Sequence, residues 1–201
     1  MQIEPLTTEA PDFDPETHAY SVRGVRIPSV TTIISEARYI DTRFFNEGAR
    51  DLGRRVHAAC EEIDWGENPE LTSDVAPYVA AYRRFLSEHR VQWQYIERPM
   101  YHPADFFAGT PDRVGLVDGE PAVVDIKRGG LYSSYEVQLA AYASLFKDPC
   151  GFRLFDLMLK NVRAGRYQLL EVPREDFLNN LNDFRGALIV LRRRQRKGLA
   201  A

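Results

Sequence analysis

The sequence predicts an α/β fold: a central run of strands, one helix and more strands, with helices before and after it. Three observations carry this. Val75, Tyr78, Val79, Tyr82, Phe85 and Leu86 recur at helical spacing between Asp74 and His89. From Val91 the pattern changes to short runs rich in β-branched and aromatic residues, reaching Ile126. A helical stretch from Ser134 to about Lys147 then separates these runs from two more, Phe152 to Leu159 and Tyr167 to Val172.

Taken in order, HAYSVRGVRIPSV predicts a short hairpin from Tyr20 to Ile27 turning at Gly24, and Ser29 can cap a helix through TTIISEARY. A helical region follows from Asp41 to about Asp64, stopped by Gly66, with Gly53 as a break or a close-packing point. After the Asp74–His89 helix come strands at Val91 to Arg98, Tyr101 to His102, Phe107 to Val117 and Glu120 to Ile126. The last helix runs from Glu175 to about Arg194. At 201 residues, without repeats or a long linker, the chain reads as one domain. Its core spans about 50–172, preceded by the hairpin and helix (18–40) and followed by the C-terminal helix (173–197).

Composition narrows the function classes. Hydrophobic residues at 44% and charged residues at 27% are ordinary for a soluble domain. MQIEPLTTEA has no basic region followed by an apolar run, so no secretory signal is expected. No apolar stretch approaches the ~20 residues of a membrane span. Cys60 and Cys150 are far apart, which fits a reducing, cytoplasmic setting and excludes an all-cysteine iron–sulfur cluster. The net charge of −3 confines any nucleic-acid binding to local patches, such as Arg38, Arg43, Arg50, Arg54 and Arg55 or the tail RRRQRK. That tail also suits the negative end of the last helix.

The most informative stretch is GTPDRVGLVDGEPAVVDIK, Gly109 to Lys127. Asp118-Gly119 is a two-residue hairpin turn, because both positions tolerate positive φ. Val117 then faces Glu120, and pairing back along the strands sets Asp112 opposite Asp125. Opposed like charges destabilise a sheet. Alternation puts Lys127 on the face of Asp125 and turns Val124 and Ile126 to the other, apolar side. A hard divalent cation, Mg²⁺ or Mn²⁺, between the carboxylates would relieve the repulsion and keep waters for a substrate. The bland alternative is a turn aspartate beside a surface Asp125–Lys127 ion pair.

Two helices add candidates. GRRVHAACEE places His57 and Glu61 at i, i+4, and Arg50 and Arg54 on the same face, where they either reach phosphates or are simply solvated. SSYEVQLAAY opens with a capping box, Ser133 to Glu136, and its positive end beside a metal favours a phosphate. Gln138 and Tyr142 share one face of that helix, as a functional pair or as plain helix-to-sheet packing. Glu97 could join an outer metal shell, although an exposed strand-end charge is the commoner role. Arg128 and Tyr132 could contact phosphate and stack on a base, or be loop residues.

Together GRRVHAACE, AGTPDRVG, VVDIKRG and QLAAY resemble the PD-(D/E)xK nuclease superfamily, specifically its RecB-like exonuclease branch. Order and spacing match across about half of the chain, and the N-terminal hairpin and helix resemble small phage-encoded members. The resemblance implies a restriction-endonuclease-like core, a central mixed sheet flanked by helices, and metal-dependent DNA cleavage in recombination, repair or replication. It implies His57, Asp112, Asp125 and the backbone carbonyl of Ile126 as ligands of Mg²⁺ or Mn²⁺, with Glu61 supporting. Lys127 would orient or deprotonate the attacking water, and Gln138 and Tyr142 would steady the DNA or the lysine. From the residues themselves, rather than from the resemblance, Arg54 and Arg128 are the candidates for binding the substrate. The cluster-binding cysteines of some relatives are missing, so no iron–sulfur cluster is expected. There is also no helicase motor, so processivity would come from a homo-oligomer or a partner such as a single-strand annealing protein. A phage-encoded member would work in the bacterial host cytosol. Two rivals remain: a structure-selective endonuclease on the same site, and a non-catalytic nucleic-acid-binding module with a nuclease fold.

Overall fold

Hydrophobic strands buried on both faces need cover on both sides, and the chain supplies it with helices. The computed structural model of the chain describes residues 2–37, 47–128, 134–160 and 165–199. A small antiparallel sheet comes first: β1 (Asp12–Asp14), β2 (Ala19–Val22) and β3 (Val25–Ile27). The predicted hairpin is β2–β3, turning through Arg23 and Gly24, both at positive φ; β1 is an addition the sequence did not signal. Ser29 accepts from the Thr32 amide at 3.0 Å and so caps α1 (Val30–Glu36). Helices α2 (Glu47–Asp64) and α3 (Ala76–Glu88) follow. The start of the predicted Asp41 helix lies outside the described residues.

The central sheet is mixed and five-stranded, in the order β10-β9-β8-β7-β4. Its members are β4 (Val91–Ile96), β7 (Arg113–Val117), β8 (Glu120–Lys127), β9 (Arg153–Lys160) and β10 (Arg166–Val172). Only β8 and β9 are parallel, and α4 (Ser134–Ala143) makes the crossover between them. Helices α2 and α3 cover one face over Val124, Ile126, Phe155 and Leu157. Helices α1, α4 and α5 (Phe177–Arg196) cover the other over Val114, Val123 and Leu154. The result is an α/β fold with a central mixed sheet flanked by helices, compatible with a restriction-endonuclease-like core. Among the described residues, no helix is long and apolar enough to cross a membrane.

One predicted strand divides. Instead of running from Phe107 to Val117, the chain makes β6 (Phe107–Gly109), which pairs with β5 (Met100–His102), then breaks before β7. Pro111 has no amide to extend a ladder, so the break falls there. β4 also ends early, at Ile96, because Glu97 turns into the left-handed region at φ 43°. Helix α4 stops at Ala143 rather than Lys147. The small sheet packs on β5 and β6 through Tyr20, Val22, Ile27, Tyr101 and Ala108.

Candidate functional site

The β7–β8 hairpin turns at Asp118 and Gly119, both at positive φ, and its register is the one the turn dictates, with Arg113 opposite Val124. The paired ladder ends there, one step short of Asp112 and Asp125. Asp112 sits just ahead of β7, where its carboxylate accepts the Ile126 amide at 2.6 Å. Ile126 is therefore held from both sides, because its carbonyl accepts from His57 Nε2 at 3.1 Å. The other ring nitrogen, Nδ1, lies 3.2 Å from Glu97 Oε1 and 3.6 Å from Asp112 Oδ2. His57, Glu97 and Asp112 each offer one ligand atom, all within 4.8 Å of one another. An imidazole, two carboxylates and the Ile126 carbonyl form a donor set that could hold a divalent cation.

Asp125 is turned to a second group. Its carboxylate is ion-paired with Lys127, whose ammonium donates to Gln138 Oε1 at 3.1 Å and lies 4.6 Å from the Tyr135 ring. Gln138 Nε2 in turn donates to the Tyr142 hydroxyl at 2.9 Å. Tyr142 is buried, its ring against Gly109; a Cβ at Gly109 would stand 2.8 Å from that ring. Gln138 thus faces the lysine rather than the backbone. Asp125 and Lys127 are buried and half-buried, not a surface pair.

Behind these lies a support that the sequence did not signal. Arg113 is fully buried and donates to Asp64 Oδ2, to Glu97 Oε1 at 3.2 Å and to the Asp112 carbonyl at 2.7 Å. Asp64 also receives the Tyr82 hydroxyl and, at 3.1 Å, the Trp93 indole. Glu97 is accordingly not an exposed strand-end charge. It bridges Arg113 and His57. Asp156, on β9 beside Asp125, is a further buried carboxylate that sequence reasoning passed over. A single acid inside the apolar run LFDLML was the available signal.

Among the described residues, carboxyls thus outnumber cations. Asp112, Glu97, Asp125 and Asp156 face His57 and Lys127, while Arg113 is matched by Asp64. Burial opposes a charge on His57, but Asp112 and Glu97 overcome this and hold it up to about 9. Burial pushes Asp125 up to about 6 against the pull of Lys127. Burial, reinforced by Asp125, pushes Asp156 up to about 7.

These shifts set a pH dependence for the cation-free protein. Folded Asp125 and Asp156 keep protons that the unfolded chain loses near 3.8, so stability falls as pH rises through about 6 and 7. Raised His57 contributes fully below 6.5, and that contribution is lost as pH rises through about 9. His102, lowered by burial, runs the other way. In chelator, the thermal midpoint is expected to fall between pH 5 and 9. Asp156→Asn should narrow that fall by about 2 kcal/mol, or ~5 °C. An Asn variant whose pH profile matches that of the parent would contradict this.

Among the described residues, the remaining candidates make no hydrogen bond or ion pair to this cluster. Arg54 is exposed and lies 3.5 Å from Asp51, whereas Arg55 is tied to Asp51 and Asp74. Arg128 folds back on the Ala49 carbonyl and the Tyr78 ring, crossing α2 at Gly53. Gly53 is therefore a close-packing point in an unbroken helix. The Glu61 side chain is half-buried, with no hydrogen bond or ion pair among the described residues. In the tail, Arg192 donates to the Asp105 and Phe106 carbonyls and Arg194 to the Glu36 carbonyl. Arg38, Arg43, Tyr132 and the capping residue Ser133 fall outside the described residues. In comparisons with known proteins, the chain matched no family model and no curated protein.

Proposed function

We propose that the chain is a metal-dependent deoxyribonuclease of the PD-(D/E)xK type, RecB-like, acting as an exonuclease in recombination, repair or replication. One observation carries the reading. His57, Asp112 and both backbone groups of Ile126 meet at the end of the strand that also bears Asp125 and Lys127. Their donors suit Mg²⁺ or Mn²⁺, with His57, Asp112, Asp125 and the Ile126 carbonyl as ligands and Glu97 within reach. The surplus of buried carboxyls supports a cation there. Such an ion, when bound, supplies charge neutralisation at the phosphodiester and a more acidic water.

The chain's own residues do the rest. Lys127 has three donors; one goes to Gln138 and one to Asp125, which fixes the direction of the ammonium. Burial works against its charge, but Asp125 and Asp112 hold its pKa above the ordinary value. Beside the bound cation, Lys127 orients or deprotonates the attacking water or stabilises charge developing on the phosphorane. Gln138 and Tyr142, both buried, steady the lysine rather than the DNA. Glu97 and Asp112 orient the imidazole, and Arg113 fixes Glu97.

Arg54 is among the exposed cations available to DNA phosphates. Cys60 and Cys150 are free thiols, in keeping with a cytosolic setting. A homo-oligomer or a recombination partner such as a single-strand annealing protein would supply processivity. The test is incubation of end-labelled linear DNA and closed circular DNA with Mg²⁺, Mn²⁺ or EDTA, with Asp125→Ala as control. Divalent-dependent loss of label from linear ends is expected. Efficient cutting of circles would replace the exonuclease by an endonuclease. Binding without cleavage would leave only a nucleic-acid-binding module.

A further inference from the structure

Asp156 belongs to the carboxyl cluster but has no role in the chemistry proposed above, and its position is unusual for a carboxylate. It pairs with Asp125 across the parallel β8–β9 ladder, and paired residues of neighbouring strands project to the same face. It is 4% exposed, and its Oδ1 has no hydrogen-bond partner among the described residues. A buried acceptor left unpaired is costly and calls for an explanation. Lys127 lies on the same face, two residues beyond Asp125, and its ammonium is the nearby cation. At present that ammonium is engaged by Asp125.

We propose that Asp156 is the alternate counter-ion of Lys127, receiving its ammonium when a cation takes the Asp125 carboxylate. This rests on the nuclease reading and deepens it. A divalent ion and an ammonium sharing one buried carboxylate repel each other, while a buried ammonium stripped of its partner is costly. A second carboxylate one strand away resolves both. Lys127 already reaches back along its own strand to Asp125, so the neighbouring strand is within the span of its four-carbon stem. Gln138 can stay bonded to the ammonium through the exchange, which keeps the group near the site. Asp156 is in this account a positioning residue.

A double-mutant cycle on Mn²⁺ affinity tests it, using calorimetry on the full chain at fixed pH with folding checked by circular dichroism. Asp156→Asn, nearly isosteric, should weaken Mn²⁺ binding about 10-fold, because Lys127 then competes for Asp125. Lys127→Met should tighten binding. In the Lys127→Met background, Asp156→Asn should have less than about a 2-fold effect. Equal weakening in both backgrounds would mean that Asp156 acts only as a remote negative charge, and would overturn the proposal. No weakening in either background would do the same. Absence of Mn²⁺ binding by the parent protein would instead remove the nuclease reading, and this inference with it.

Discussion

Lys127→Ala is expected to lower DNA cleavage by about 10²–10⁴-fold while leaving the protein folded. The loss follows from what the ammonium does, since among the described residues no other cation shares its bonds to Asp125 and Gln138. The fold survives because removing it leaves Asp125 beside Asp156, both already pushed upward, so the pair can take up a proton instead of staying charged. Asp125→Ala should abolish cleavage equally by removing a ligand. Single-turnover assays of both variants, with melting curves alongside, measure this. Cleavage retained by both would refute the assignments of Asp125 and Lys127.

The second large effect is on stability. Arg113→Met is expected to destabilise the protein by about 3–5 kcal/mol, lowering the melting midpoint by roughly 10 °C or more. Arg113 has no exposed surface and binds Asp64, Glu97 and the Asp112 carbonyl at once. Methionine fills much of its volume but leaves the buried Asp64 with its Tyr82 and Trp93 donors alone among the described residues. It also frees Glu97, the group that orients His57. Lys127→Ala should therefore cost activity without much stability, and Arg113→Met should cost both. An Arg113→Met protein as stable as its parent would show that the buried network is dispensable.

The sequence carried the site unevenly, for physical reasons. The turn Asp118-Gly119 fixes the hairpin register locally, so the approach of Asp112 to the Asp125 strand could be read before any fold was known. Helical spacing likewise placed His57, Gln138 and Tyr142 on usable faces, but not what those faces meet. Arg113, Asp64 and Asp156 escaped, and Glu97 was weighed toward an exposed strand-end charge, because their roles depend on pairings between distant segments. Arg113 meets Asp64 from 49 residues away. Asp156 meets Asp125 only because β9 returns parallel to β8 over α4. The divided strand at Pro111 was legible in principle, since proline interrupts a ladder. Arg128 was not: its path across Gly53 to Ala49 requires knowing that α2 lies against the end of β8.

The claim underlying all of this is that a divalent cation docks beside His57, Asp112 and the Ile126 carbonyl. Anomalous X-ray scattering from crystals soaked in Mn²⁺ tests it most directly. A single strong peak bounded by His57, Asp112 and Ile126, with Asp125 or Glu97 completing the shell, is the predicted result. Manganese bound only at surface carboxylates, with His57 still on the Ile126 carbonyl, would contradict it.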